Sequence, residues 1–224
     1  WFEMLRREEL EPEKLIRLLF NYDAHATLLR RLLLKAATLM PEPAVGFVLE
    51  NVRTEYGSGD YSHAHHFQLL DLIEKLAEKT GTTIDDRLKA ITLGVRKYIL
   101  EVPAFFFPEE MEIEEGLYPP CISAGAILAT EILAELEFKA LQKAFHAYGL
   151  GEHIWFNHIT VEKEHADESF NLALYFLTQD QRSMESLEFG IGGILMCNSS
   201  LYDGFLDVVN PLGPEVESQV NSLR

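Results

Sequence analysis

Apolar residues recur at every third or fourth position through most of the chain, a spacing typical of helices that bury one face. The first such run extends from Glu13 to Met40, with Asn21-Tyr22-Asp23 as a candidate interruption. Pro41 and Pro43 end it, because proline cannot continue a helix interior. No segment shows the strict alternation of a strand bounded by turns. The pattern therefore predicts an all-α protein.

The remaining periodic segments predict six further helices. Their expected bounds are about Ala44 to Tyr56, Ser62 to Glu78, Ile84 to Leu100, Ser123 to Tyr148, Ile154 to Leu177 and Gln181 to Val209. Gly57-Ser58-Gly59-Asp60 is a break, because two glycines in four positions free the backbone for a tight turn. Thr83 is the predicted N-cap of the Ile84 helix. We expect Val102 to Pro120 to be a surface connection at a pocket entrance, and the tail from Asn210 to fray.

The length and the net charge of the chain indicate how many domains it forms and which partners it is not expected to bind. The 224 residues, 47% of them apolar, suit one large domain with a real core. The net charge of −17 repels phosphate backbones and anionic lipid headgroups, so neither nucleic acid nor a membrane is an expected partner. No apolar run approaches the length of about 18 residues that spans a bilayer, and Trp1 to Glu13 is too charged for a secretory signal. Cys121 and Cys197 show no metal or redox spacing, so we expect buried free thiols and a cytoplasmic location.

The segment His158-Ile-Thr-Val-Glu162-Lys-Glu-His165 carries the chemistry on which the functional hypothesis depends. On a helix, positions i, i+4 and i+7 fall within an arc of roughly 60°, so both imidazoles and the Glu162 carboxylate share one face. This nitrogen and oxygen donor set suits iron or manganese and allows zinc. A solvated, charged helix face is the alternative. The apolar segments on either side favour a packed helix, in which a buried carboxylate needs a metal or another charge partner.

Two further motifs accompany that segment. Glu162-Lys-Glu-His165 is the one Glu-x-x-His motif, and a ferritin-like site needs two. The segment Glu55-Tyr-Gly-Ser-Gly-Asp-Tyr-Ser-His-Ala-His65 instead places a histidine ten residues after a glutamate, and Ala129-Thr-Glu131 lies within a long helical run. In this order, the three motifs resemble the ligand segments of the haem-oxygenase-like di-iron oxidases and oxygenases, which include CADD-like and TenA-like proteins. The resemblance covers about residues 45 to 210.

The resemblance implies a haem-oxygenase-like bundle of about seven or eight helices. It implies two iron ions, with manganese as the alternative metal, and O₂ as co-substrate. The implied metal ligands are Glu55, His65, Glu131, His158, Glu162 and His165. A small organic molecule, either a fatty acid or an amino-acid-derived metabolite, is the expected substrate, and a homodimer is an expected assembly. A cofactor-independent or non-catalytic ligand-binding protein of the same fold is the alternative function.

Sequence spacing alone does not decide which residue is the metal ligand at some of these positions. Ten residues of unbroken helix would separate Glu55 from His65 by about 15 Å, and the two glycines between them remove that obstacle. His63 and His66 compete with His65, and only the family pattern selects among the three. Glu135 and Glu137 compete with Glu131; Glu135 shares its helical face, whereas Glu137 is expected to point elsewhere.

Other residues have ordinary structural interpretations beside functional ones. His25, His146 and His153 are interpreted as structural or surface residues. The aromatic run Phe105-Phe-Phe107 and Tyr98, with small residues on flanking helices, are the candidate walls of an apolar cavity beside the metals, and core packing explains them equally well. These small residues are Gly125, Gly192 and Gly193.

Overall fold

The computed structural model describes Phe2, Leu5 and residues 10–108, 116–180 and 183–210, apart from the side chain of Glu162. Within these residues the secondary structure is helical, with no strand. The helices are α1 (Pro12–Leu39), α2 (Glu42–Glu55), α3 (His65–Thr80), α4 (Leu93–Glu101), α5 (Pro103–Phe106), α6 (Pro119–His146), α7 (His158–Gln179) and α8 (Ser183–Val209). Short 3-10 helices at Tyr61–His63 and Ile154–Asn157 precede α3 and α7. The predicted all-α bundle of seven or eight helices is confirmed.

Helix α1 runs without a break through the predicted interruption. Asn21 is fully buried, and its side-chain nitrogen donates to the carbonyl oxygens of Arg17 at 2.9 Å and Ala90 at 3.2 Å. Its side-chain oxygen accepts the backbone N–H of Thr92 at 2.8 Å. The polar residue therefore serves a buried tertiary contact and does not mark a helix end.

The predicted helix from Ile84 to Leu100 is wrong over its first half, because α4 begins only at Leu93. The preceding segment is a series of turns, in which the Asp85 carboxylate accepts the backbone N–H of Leu88 at 3.0 Å. One hydrogen bond that Asn21 donates to Ala90 and one that it accepts from Thr92 then hold the segment that leads into α4. Thr83 is consequently not an N-cap, and Thr92 occupies the position before the helix.

The predicted surface connection from Val102 to Pro120 is wrong at its start. Helix α5 begins at Pro103, and Phe105 and Phe106 are both buried. The acidic run from Glu109 to Glu115 lies outside the described residues, as does the chain after Asn210.

Close contact between α6 and α8 forms the centre of the bundle. A Cβ atom at Gly190 would lie 2.0 Å from the carbonyl oxygen of Ile122, and one at Gly125 would lie 2.2 Å from that of Leu187. Only glycine permits this approach, so Gly190 and Gly125 are packing residues. Gly192, by contrast, has no atom near its missing Cβ.

The cysteines lie within this core, Cys121 on α6 and Cys197 on α8, and both are free and fully buried. No helix in the described part of the chain is long and apolar enough to cross a membrane.

Candidate metal centre

The helices surround a cavity of about 80 Å³. Glu55, His65 and Glu131, three of the six predicted ligands, line it together with Tyr98 and Phe106. The proposed aromatic wall is thus confirmed for those two residues. Phe105 instead packs against Gly193 and Phe189 in the core, where a Cβ at Gly193 would lie 2.1 Å from the Phe105 ring.

The turn between α2 and α3 brings Glu55 and His65 together. Gly57, Ser58 and Gly59 all have positive φ, at 81°, 53° and 100°, which reverses the chain direction immediately after α2. As a result His65 Nδ1 lies 2.9 Å from Glu55 Oε1, with side chains only 13% and 16% exposed. The glycine turn removes the helical separation, as the sequence predicts.

The charge state of Glu55 follows from its surroundings. Burial alone would raise the pKa of this carboxyl, but the adjacent His65, which also hydrogen-bonds to it, and the more distant His158 and His165 lower the pKa to about 2. Glu55 is therefore a carboxylate at neutral pH. A buried carboxylate among imidazoles is the charge arrangement that a cation-binding site requires.

His158 is held rigidly at the start of α7. Its Nδ1 donates to the carbonyl oxygen of Trp155, and its ring stacks on Phe138 with centroids 5.0 Å apart. The ring centroid of His65 is 3.6 Å away. Burial, with repulsion from His65, lowers the pKa of His158 to about 3, so the ring is neutral.

The tautomer of His158 leaves one atom without a partner. A carbonyl oxygen can only accept, so Nδ1 carries the hydrogen and Nε2 of the neutral ring carries a lone pair. This Nε2 is buried and has no hydrogen-bond partner among the described residues. Histidines that ligate metals commonly donate their other ring N–H to a carbonyl or carboxylate in this way.

Glu131 and His165 form a second pair, buried between α6 and α7. The distance between His165 Nδ1 and Glu131 Oε2 is 3.6 Å, with side chains 4% and 8% exposed. Asn51 donates to Glu131 Oε1 at 3.3 Å, and the Thr54 hydroxyl lies 2.6 Å from His165 Nε2. Both members of this pair are thus oriented by residues of α2.

Glu162 belongs to α7, and its side chain lies outside the described part of the structure. Among the side chains that are described, no group of three or more His, Cys, Asp or Glu is arranged to hold a metal ion. The six ligands therefore remain a prediction. The donor set nonetheless fits iron or manganese, because it offers neutral imidazole nitrogen and carboxylate oxygen, and because the lone pair of His158 Nε2 is buried without a partner.

The competing histidines have other partners. His63 is 71% exposed in its side chain and lies 3.6 Å from Asp60. His66 Nδ1 lies 2.8 Å from Asp23 Oδ1, on α1. Of the three, only His65 contacts Glu55.

Among the competing glutamates the outcome differs from the prediction. Glu135 pairs with Lys139 on the outside of α6 and does not line the cavity. Glu137, which was expected to point elsewhere, is 4% exposed and lines the cavity with Glu131.

Asn51, Thr54 and Asn198 are further residues that sequence reasoning missed. A single Asn or Thr carries no motif, so no local signal identifies them.

The remaining histidines agree in part with a structural interpretation. His153 Nε2 donates to Asp71 Oδ2 at 2.9 Å, and His146 is exposed. His25, however, is buried and lines the cavity, with Nδ1 3.1 Å from the carbonyl oxygen of Tyr22. Burial lowers its pKa to about 3.

Comparison with known proteins agrees with this fold. A family model described as an iron-containing redox enzyme matches residues 22–195. Among solved structures, the chain is similar to a CADD-like protein of unknown function from Nostoc punctiforme, with a TM-score of 0.71 and 14% sequence identity over 93% of this chain and 87% of that chain. No curated protein sequence matches. The haem-oxygenase-like, CADD-like fold expected from the three motifs is therefore confirmed.

Proposed function

The chain belongs to the family of iron-containing redox enzymes, and from this premise we propose that it binds two iron ions and uses O₂ to oxidise a small organic substrate. Manganese is the alternative metal, because the same nitrogen and oxygen donors suit both. The proposed ligands are the three carboxylates and three imidazoles of Glu55, His65, Glu131, His158, Glu162 and His165.

The lone pair on His158 Nε2 carries this proposal. The atom is buried without a partner, and burying a polar atom without a hydrogen bond costs about 1–3 kcal/mol. A metal ion would offset that cost. Two ions account for six ligands better than one, because each ion then keeps open positions for O₂ or substrate.

The protein residues would prepare the site for this chemistry. When bound, the metal ions supply the redox equivalents and open coordination positions for O₂. Glu55 provides fixed negative charge, the carbonyl of Trp155 keeps the proton of His158 on Nδ1, and Asn51 orients Glu131. The aromatic walls of the cavity exclude water from the reacting substrate.

Anaerobic titration of the metal-free protein with ferrous iron tests the stoichiometry. We expect saturation near two ions per chain. His158→Ala should lower the bound iron, since it removes the unpartnered nitrogen, whereas the matched variant His63→Ala should bind as wild type does, since His63 is exposed. Circular dichroism melting of both variants would separate a lost ligand from a lost fold. Saturation at one ion, or equal binding by His158→Ala and wild type, would contradict the proposal.

A cofactor-independent ligand-binding protein is the second candidate. It is favoured by the direct contact between His65 Nδ1 and Glu55 Oε1, which satisfies both groups without a metal. Stopped-flow mixing of the ferrous protein with O₂ separates the candidates. A transient visible absorbance with O₂ consumption belongs only to the redox enzyme, and its absence in protein that has bound iron favours the ligand-binding alternative.

A further inference from the structure

The cavity contains a second polar group, centred on Glu137 of α6. This carboxyl is 4% exposed and accepts the hydroxyl hydrogen of Tyr202 at 2.7 Å and a hydrogen bond from Tyr22. No described Lys, Arg or His forms an ion pair with it. Burial, opposed by these two hydrogen bonds, raises its pKa to about 7. Glu137 is therefore a buried acid that lacks a cationic partner.

Asn198 of α8 lines the same cavity and carries a second acceptor, Oδ1. Its Nδ2 lies 3.5 Å from the Tyr202 hydroxyl oxygen, which is free to accept because Tyr202 gives its own hydrogen to Glu137. With Nδ2 turned towards the Tyr202 oxygen, Oδ1 is the amide atom that is not used. Asn198 is 5% exposed, and Oδ1 is buried with no partner among the described residues.

Aromatic rings line the cavity beside these acceptors. They belong to Tyr22, Tyr98, Phe138 and Trp155. A cation within about 6 Å of such a ring face is attracted by the ring quadrupole, and more strongly when water is excluded. Two acceptors among aromatic rings are suited to a positively charged donor.

We propose that this part of the cavity binds the ammonium group of a primary amine, with the Glu137 carboxylate and Asn198 Oδ1 as its acceptors. As a statement about the substrate of oxidation, this inference rests on the proposed function, and it favours an amine-bearing substrate over a fatty acid. A carboxylate would repel an ionised Glu137. If Glu137 were protonated, a bound carboxylate would still offer no hydrogen to Asn198 Oδ1.

Arg30 is the cavity residue that would favour an anionic ligand, and so it defines the competing outcome. It lines the same cavity, and its guanidinium donates to the Thr27 hydroxyl at 2.9 Å. An anionic ligand would be expected to use this residue, so the test includes one.

Calorimetric titration of the full chain with butylamine, 1-butanol and butanoate tests the proposal, since the three probes share one apolar chain and differ in the polar end. The measurement is made on protein as purified and again after chelator treatment, so that amine coordination to a metal is excluded. We expect butylamine to bind about tenfold or more tightly than butanol in both samples, the effect of one charge-assisted hydrogen bond. Butanoate should bind no more tightly than butanol. Equal binding of all three, preferential binding of butanoate, or no binding of butylamine would overturn the proposal.

Variants locate the binding group. Glu137→Gln should weaken butylamine binding about tenfold and leave butanol binding unchanged. Glu135→Gln is the matched control on the same helix, because Glu135 pairs with Lys139 outside the cavity, and it should not affect either probe. Asn198→Ala should also weaken butylamine selectively, and it serves if Glu137→Gln does not fold. An unchanged ratio of butylamine to butanol affinity in a folded variant at either position would refute the assignment.

The result is independent of the metal. Binding of iron without binding of butylamine would contradict only the proposed amine site. Binding of butylamine without binding of iron would contradict only the proposed metal site.

Discussion

A neutral imidazole in the interior makes the stability of a protein depend on pH, and His25 is such a residue. Its ring is 3% exposed and contacts Tyr22 and Tyr98 edge to face. Because the folded pKa is depressed to about 3 from 6.5, the unfolded chain takes up the proton first as pH falls. The stabilisation is therefore complete above about pH 6.5 and is lost towards pH 3, by about 1.4 kcal/mol per pH unit.

This effect can be measured with His25→Phe. Between about pH 7 and pH 5.5, wild type should lose about 1 kcal/mol more unfolding free energy than the variant in urea titrations. Glu137 acts in the opposite direction, since its raised pKa favours the folded state as pH falls, but it is present in both proteins and cancels. His63→Gln should behave as wild type. An identical pH dependence in wild type and His25→Phe would show that His25 is not held neutral.

Prediction from sequence at the scale of single residues was limited by distance along the chain. Helical spacing relates residues a few positions apart, and it correctly placed His158 and His165 on one helix. Glu137 was misjudged because the hydroxyl that holds it belongs to Tyr202, 65 residues away. Periodicity on α6 alone contains no information about that partner.

At the scale of elements, the turn between α2 and α3 joins two segments that would otherwise diverge. We expect Gly57→Ala to destabilise the protein by about 1–3 kcal/mol, since φ is +81° and the new Cβ would lie 2.2 Å from the carbonyl oxygen of Asp60. Iron binding should weaken as well, because the turn brings His65 to Glu55. Denaturant unfolding and ferrous titration measure the two effects.

Gly46→Ala is the matched control for this turn. Gly46 lies within α2 and has no atom within 4 Å of its missing Cβ. The substitution should stabilise the protein by about 0.5–1 kcal/mol, because alanine is the better helix former. If both alanines changed stability in the same direction, the turn would not be the constraint proposed here.

Elements with a long amphipathic pattern were predictable, and the one that failed shows why. The ends of α1 and the start of α2 follow from prolines and local periodicity, and the end of α2 follows from the glycine turn. The segment before α4 has helical periodicity too, but its backbone forms hydrogen bonds with the Asn21 side chain at Ala90 and Thr92. Asn21 lies 69 and 71 residues before these two partners. A tertiary hydrogen bond overrode local propensity, and no local window contains both partners.

At the scale of the whole molecule, stability depends on how closely α6 approaches α8. Gly190→Ala would place a Cβ 2.0 Å from the backbone oxygen of Ile122, so the helices must separate. We expect a loss of about 1–3 kcal/mol, typical of overpacking. Gly192→Ala, two residues along the same helix with open space at its Cβ, should be neutral or stabilising by up to about 1 kcal/mol. Thermal melting distinguishes them, and equal melting temperatures would show that the helices tolerate separation.

The two cysteines provide an intrinsic reporter of opening at the centre of the bundle. They are the chain's entire thiol content, one on each of the two central helices, and both are fully buried. A thiol-reactive dye can label either cysteine only after the helices that cover it have opened, which for Cys197 include α4 with its Lys97 and Glu101. The rate of labelling under native conditions therefore reads out the opening free energy of the bundle centre without any engineered probe.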